Sequence, residues 1–300
     1  MSTRLTLPLR LLHFALRVAG RLPLSALHRI GSMLGYVLWL GNGRTRHVVE
    51  RNLALVEASS GIAASTGRVQ AILAETGKSL TEIARIWTGN PTKALALVRR
   101  VHGIEHFDAA LASGRGLIVV APHLGCWEIL NYWLAARTPL GIVYRPPKRA
   151  SLEPFLLLAR GALDVEQIRA EGAGVRVLYK RLQGGGVVGI LPDQQPRQGE
   201  GQFAPFFGVE ALTMVLVPRL AQRTNANVLY AYAQRLSGGA GFDIHIRVAP
   251  DGIDDPDLRV ACTALNRGVE ECARDAFDQY QWQYKRYGRR PVSAGRNPYK

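Results

Sequence analysis

The chain has 300 residues, enough to bury a sizeable core, with a formal net charge of +15. The charge is uneven: residues 1–52 hold eight Arg and one Glu, and residues 285–300 hold two Lys, four Arg and no acid. Three cysteines, an odd number without metal-ligand spacing, argue against a disulfide framework and for reduced thiols in a cytosolic active domain.

Basic ends beside apolar segments fit an anionic membrane surface, and would also attract an acidic partner. Nucleic acid is the competing partner. It is not expected, because no helix-turn-helix, zinc-finger or aromatic RNA-binding signature occurs. No secretory signal stands out either: Arg10, His13 and Arg17 interrupt the first apolar stretch, and no small-residue cleavage site follows it.

Two apolar, helix-compatible pieces open the chain, Leu5–Ala19 and Leu24–Leu40, separated at Gly20–Pro23. As a helix the second reaches roughly 26 Å, slightly short of a hydrocarbon core. It is expected to contact a membrane, spanning it or lying in its plane, with His28 and Arg29 snorkelling at one end. Residues 1–42 therefore form an N-terminal membrane-associated segment, and 43–300 a single domain. Arg44–Val56 is predicted helical with Val48, Leu53 and Val56 on one side. Arg68–Trp87 follows as a second amphipathic helix, broken by Gly89-Asn90-Pro91. His102 and His106 are four apart, but Gly103 intervenes and the order is not that of a zinc-binding helix, so a surface or packing role is expected.

The stretch Leu117–Trp133, LIVVAPHLGCWEILNYW, reads as a buried strand, a tight turn and the start of a helix. His123 falls at the strand's carboxyl end and Glu128 in the first helical turn. That spacing lets the carboxylate accept a hydrogen bond from one imidazole nitrogen. The other nitrogen is then an acceptor, able to take a proton from a substrate hydroxyl. A His-x4-Glu pair with no nearby nucleophile points to base-assisted attack by an alcohol. Cys126 lies between the two, but the predicted helix directs it away from, or at best beside, His123, so a covalent role is not expected.

Gly141–Tyr144 reads as a short strand ending at Arg145-Pro146, and Leu152–Gly161 as a helix. Arg169 precedes a Gly-rich turn and the helix Val175–Gln183. Val187–Leu191 is a third apolar strand, ending in Pro192-Asp193-Gln194. Strands alternating with helices predict an α/β fold with a mixed, largely parallel sheet, whose ligands bind outside the strands' carboxyl ends. His123, Arg145 and Asp193 should then face one crevice. Residues 198–208 read as a flexible loop carrying Phe203, Phe206 and Phe207, which are either core, or an apolar rim for an acyl chain or a point that dips into lipid. Thr213–Gln222 is predicted helical, and Asn227–Arg235 and Phe242–Val248 form a hairpin. In the last helix, Pro256–Phe277, Cys262 and Cys272 lie on an apolar seam that faces the core.

Six blocks carry a resemblance: Arg44–Leu53, His123–Glu128 with its flanks, Tyr144-Arg145-Pro146, Leu191–Gln194, Pro205-Phe206-Phe207-Gly208 and the tail Gln279–Pro291. In order, and over nearly the whole chain, they resemble blocks of the lipid A biosynthesis acyltransferases, within the glycerolipid-type His-x4-Asp/Glu acyltransferases. One departure is Cys126, where that family often has Asn. The resemblance implies transfer of a fatty acyl chain from acyl carrier protein to a hydroxyl of a Kdo-bearing lipid A precursor, without metal or cofactor, at the cytoplasmic face of the inner membrane. It implies His123 as general base and Glu128 as its orienting acid. Arg145, Arg169, Asp193 and Gln194 become candidates for binding substrate, and backbone N–H groups near Gly125 for stabilising the oxyanion. The rivals are a sister acyltransferase acting on another glycolipid or aminolipid and a non-catalytic basic membrane scaffold. A serine hydrolase is disfavoured by the lack of a Gly-x-Ser-x-Gly elbow.

Overall fold

In a computed structural model, residues 6–62, 66–144, 153, 165–169, 172–197 and 199–300 are described. The expected helix Leu152–Gly161, apart from Glu153, and the candidate Arg145 lie outside them.

The framework is a seven-stranded sheet in the order β1-β9-β8-β2-β5-β3-β4. The strands are β1 (Val98–His102), β2 (Leu117–Val120), β3 (Leu140–Tyr144), β4 (Val165–Arg169), β5 (Val187–Ile190), β8 (Asn227–Arg235) and β9 (Phe242–Val248). Five neighbours, β8-β2-β5-β3-β4, run parallel, and β9 turns back antiparallel to β8 with β1 parallel beside it. The expected mixed, largely parallel α/β sheet is therefore present. Central β2 and β5 are apolar and buried on both faces, as strands covered by helices must be.

The helices α6 (Ile104–Ala112), α7 (Trp127–Ala135), α8 (Ala173–Gln183), α9 (Leu216–Thr224) and α10 (Leu258–Asp275) pack on the sheet. On α10, Cys262, Leu265, Val269 and Cys272 are buried, as the seam predicts.

Two strands lie where sequence periodicity fails. β6 (Gly201–Phe206) and β7 (Val209–Met214) pair antiparallel as a separate two-stranded ribbon across Phe207-Gly208. The predicted loop at 198–208 is thus partly strand, and the following helix begins at Leu216 rather than Thr213. The Phe expectation resolves toward core: Phe206 and Phe207 are buried among Tyr280, Trp282 and Tyr287, and neither forms a rim. Phe203 is only partly buried, but it does not line the cleft beside His123 described below.

Before the sheet come α1 (Leu7–Ala19), α2 (Leu24–Leu40), α3 (Arg44–Ser60), α4 (Thr66–Thr88) and the short α5 (Pro91–Leu95). α2 lies tightly on α4 because glycines face each other. A Cβ on Gly77 would meet the Gly31 carbonyl oxygen at 1.9 Å, and one on Gly35 would meet that of Leu73 at 2.2 Å. The outward faces carry Leu7, Leu11, Phe14 and Val18 on α1, and Met33, Leu34, Val37 and Leu40 on α2, all exposed. No described helix is long and apolar enough to cross a membrane.

Candidate active site

The turn after β2 is fixed from three sides before any side chain acts. The His123 carbonyl accepts from the Gln281 N–H at 3.0 Å, Leu124 bridges to Tyr280, and the Cys126 N–H donates to the Ala233 carbonyl at 2.8 Å. Gly125 has φ +60°, and a Cβ there would fall 1.9 Å from the Ala233 oxygen. Only glycine fits so close to β8 in that conformation.

This turn aims the His123 ring into a cleft at the carboxyl ends of the parallel strands. The cleft, about 290 Å³, is lined by His123, Trp127, Asn131, Ile142, Val143, Tyr144, Leu191, Gln194, Met214 and Gln281. The lining mixes apolar side chains with the imidazole and the amides of Asn131, Gln194 and Gln281.

The carboxylate that holds the imidazole is Asp193. Its Oδ1 lies 2.7 Å from His123 Nδ1, and its Oδ2 accepts the His123 backbone N–H at 2.9 Å. Asp193 is fully buried. Burial raises its pKa, but the electrostatic interaction with the His123 side chain and the two hydrogen bonds from that residue outweigh it and hold the carboxyl below its usual range. An ionised Asp193 only accepts hydrogen bonds, so Nδ1 carries the proton. The neutral ring then presents Nε2 as an acceptor. Nε2 faces the Gln194 amide nitrogen at 3.3 Å, and that same nitrogen donates to Gln281 Oε1 at 3.0 Å. Tyr280 backs Asp193. Burial, then the Asp193 charge, pushes its phenol well above the usual value, so it stays neutral.

Three expectations change here. Glu128 is buried in the first turn of α7, but neither ring nitrogen of His123 bonds to it, and the orienting position belongs to Asp193. Asp193, expected to bind substrate, instead bonds to both the ring and the backbone of His123. The N–H groups of Gly125 and Cys126 are already donated to the carbonyls of Gln279 and Ala233, so they are not free for an oxyanion. Cys126 is buried, and desolvation followed by the Glu82 charge pushes its thiol well above the usual value. It stays a thiol, which agrees with a non-covalent role.

Gln194 lies in the cleft lining. Arg169 lies at the end of β4, outside the cleft lining, exposed, and bonded to Glu153 Oε1 at 2.9 Å and the Tyr144 hydroxyl at 3.3 Å. Gln281 was not singled out from sequence. Its only signal there was its place in the tail block Gln279–Pro291.

Behind the turn sits a buried charge cluster. Arg235, at the end of β8, donates to Glu82 Oε1 and Oε2 at 2.7 Å each, to Ser79 at 2.7 Å, and to the Gly125 carbonyl at 2.7 Å. His28 of α2 meets Glu82 Oε2 at 3.0 Å. Burial raises the Glu82 pKa, but the Arg235 charge and the bonds from His28 and Arg235 bring it down to about 2. α2 and α4 are thus tied to the catalytic turn through one guanidinium.

A family model described as bacterial lipid A biosynthesis acyltransferase matches residues 6–289. The chain belongs to this family. It is 26% identical over 275 residues to the lipid A biosynthesis lauroyltransferase of Escherichia coli K12, covering 90% of this chain and 88% of that protein. It is 23% identical over 273 residues to the palmitoleoyltransferase of the same organism, covering 91% and 88%. A Mycobacterium tuberculosis phosphatidylinositol mannoside acyltransferase is 29% identical over 202 residues, covering 66% of this chain and 64% of that protein. As a member of the lipid A acyltransferase family, the chain is an acyltransferase, and its cleft at the strand ends is where that chemistry is sought.

Proposed function

We propose that this acyltransferase moves a fatty acyl chain from acyl carrier protein to a hydroxyl of a Kdo-bearing lipid A precursor, at the cytoplasmic face of the inner membrane. The observation that carries the chemistry is His123 Nε2, an acceptor opening into a half-apolar cleft while Asp193 holds the opposite nitrogen. The acceptor hydroxyl gives its proton to Nε2 as its oxygen attacks the thioester carbonyl. Asp193 stabilises the imidazolium that forms. Base catalysis of this kind contributes roughly 10²–10⁴-fold. The tetrahedral oxyanion takes a hydrogen bond from the Gln194 amide, which leaves the imidazole lone pair when the hydroxyl arrives. The imidazolium then returns its proton to the departing thiolate. Trp127, Ile142, Leu191 and Met214 supply the apolar wall for the acyl chain.

The exposed apolar faces of α1 and α2, flanked by Arg10, Arg17, Arg21 and Arg29, suit a helical pair lying in the plane of an anionic membrane. His123→Ala should abolish transfer in vitro from acyl carrier protein to the precursor, with thermal stability intact. Full activity in that variant ends the proposal.

A second reading is favoured by one finding. The phosphatidylinositol mannoside acyltransferase matches at higher identity, although over a shorter span. An enzyme acting on a different membrane glycolipid would use the same His123–Asp193 pair. Mass spectrometry of lipid A from a deletion strain separates the two: one missing secondary chain supports the first, and unchanged lipid A the second.

A further inference from the structure

A second cleft, of about 410 Å³, lies between α3 and the C-terminal tail, outside the catalytic cleft. Four cations line it, Arg51, Arg290, Arg296 and Lys300, beside Ala54 and Leu55, and no carboxylate side chain does. None of the four forms an ion pair with an acid among the described residues. Arg290 Nε is buried from solvent and has no hydrogen-bond partner among the described residues.

The cations are held in place. Arg51 Nε donates to the Pro298 carbonyl at 3.0 Å, which binds the tail to α3. The Tyr299 hydroxyl donates to Asn52, one residue along that helix. Arg289, next to Arg290, donates through its backbone N–H to Gln195 Oε1 at 2.9 Å and through Nη1 to the Pro196 carbonyl at 2.8 Å. The cleft is therefore built onto the loop that carries Asp193 and Gln194.

We propose that this cleft binds a phosphate ester on the headgroup of a membrane lipid. Guanidinium groups converging on a concavity match the several oxygens and multiple charge of phosphate better than a single carboxylate. A lipid source fits the position: α3 follows directly on α2, which exposes Tyr36, Val37 and Leu40, and Leu55 gives the cleft an apolar flank. The anion chemistry stands independently of the acyl transfer proposed above. Only assignment of the phosphate to the acyl acceptor rests on that reading.

The direct test is calorimetric titration of the full chain with inorganic pyrophosphate, comparing wild type, His123→Ala and the double variant Arg296→Gln/Lys300→Gln. Both substituted side chains are exposed, so folding is preserved. The expected result is unchanged affinity in His123→Ala and a loss of about tenfold in the double variant, since each charge-assisted contact is worth that much or more. Two further arms identify the source. A KM for the phosphorylated acceptor raised about tenfold at unchanged kcat assigns the acceptor's own phosphate. Weaker flotation with phosphatidylglycerol vesicles at unchanged acceptor KM assigns bulk lipid. Equal pyrophosphate affinity in wild type and double variant overturns the proposal. So does a defect confined to the KM of the carrier-borne donor, which would make the cleft a dock for an acidic protein.

Discussion

Asp193 grips His123 at two points: Oδ2 takes the backbone N–H at 2.9 Å and Oδ1 the ring Nδ1 at 2.7 Å. One carboxylate thus fixes both the position of the residue and the tautomer of its ring. Replacing the oxygen that accepts from Nδ1 with an amide N–H would force the proton onto Nε2 and remove the base. Asp193→Asn should lower kcat by roughly 10³–10⁴-fold, the scale seen for buried Asp–His pairs, with little change in KM. Glu128→Gln should leave the pH dependence of kcat unchanged, because Glu128 does not hold the ring. Equal losses and equal pH shifts in the two variants would return the orienting role to Glu128.

The cleft makes a claim about chain length. Leu191 and Met214 line its apolar side, at the end of β5 and on β7. Leu191→Trp should occlude part of that wall. Discrimination per methylene in an apolar pocket is worth about 1–3 kcal/mol, so kcat/KM for the longest accepted chain should fall at least tenfold relative to shorter ones. Competition assays with carrier proteins bearing graded chains would read this directly. A uniform loss at every length would place the acyl chain elsewhere.

The strand-turn-helix around His123 was legible because five apolar residues ending in Pro-His-Leu-Gly leave few alternatives. The long helices were legible from their 3.6-residue periodicity. Asp193 was visible as a residue at a strand end facing the crevice, but its partner was not. His123 and Asp193 are 70 residues apart, and only the parallel register of Val120 with Ile190 brings the two loops side by side. Glu128 is favoured by its nearness in sequence, although neither ring nitrogen bonds to it. β6 was hidden by Gly201 and Pro205, and β4 by Glu166, Gln167 and Arg169, since edge strands tolerate such residues. The basic tail looked like a membrane-binding element throughout. Yet Arg286 is buried, donating to the Leu212 carbonyl at 2.6 Å and to Thr213 and Asn266, a structural use that composition cannot reveal.

Arg235 links the outer helices to the catalytic turn. Removing it leaves Glu82 buried without its main counter-charge, so Arg235→Met should destabilise the fold by about 3–5 kcal/mol. The double variant Arg235→Met/Glu82→Gln should recover part of that. The pH dependence has a definite sign. The Glu82 carboxyl titrates at about 2 in the folded chain and at 4.5 as an unperturbed group. Its contribution to stability is therefore complete above 4.5 and is lost as pH falls toward 2. In acid titrations followed by circular dichroism, wild type should lose this contribution across that window. Glu82→Gln should show a shallower slope there.

The outward faces of α1 and α2 give the last prediction. Met33 and Val37 are 69% and 63% exposed, one turn apart on a helix whose opposite side, Gly31 and Gly35, is locked against α4. Two exposed apolar residues add nothing to folding, so Met33→Asp/Val37→Asp should leave the melting temperature nearly unchanged. Removing roughly two buried apolar side chains from a bilayer interface, each worth about 1.5–3 kcal/mol, and adding two negative charges should instead weaken binding to phosphatidylglycerol vesicles by more than 100-fold. Activity toward a detergent-dispersed acceptor should survive, because the His123 cleft lies at the carboxyl ends of the parallel strands and is lined by no residue from α2. Unchanged vesicle flotation in the double variant would show that this face meets something other than lipid. A lower melting temperature would show that it is covered within the folded protein.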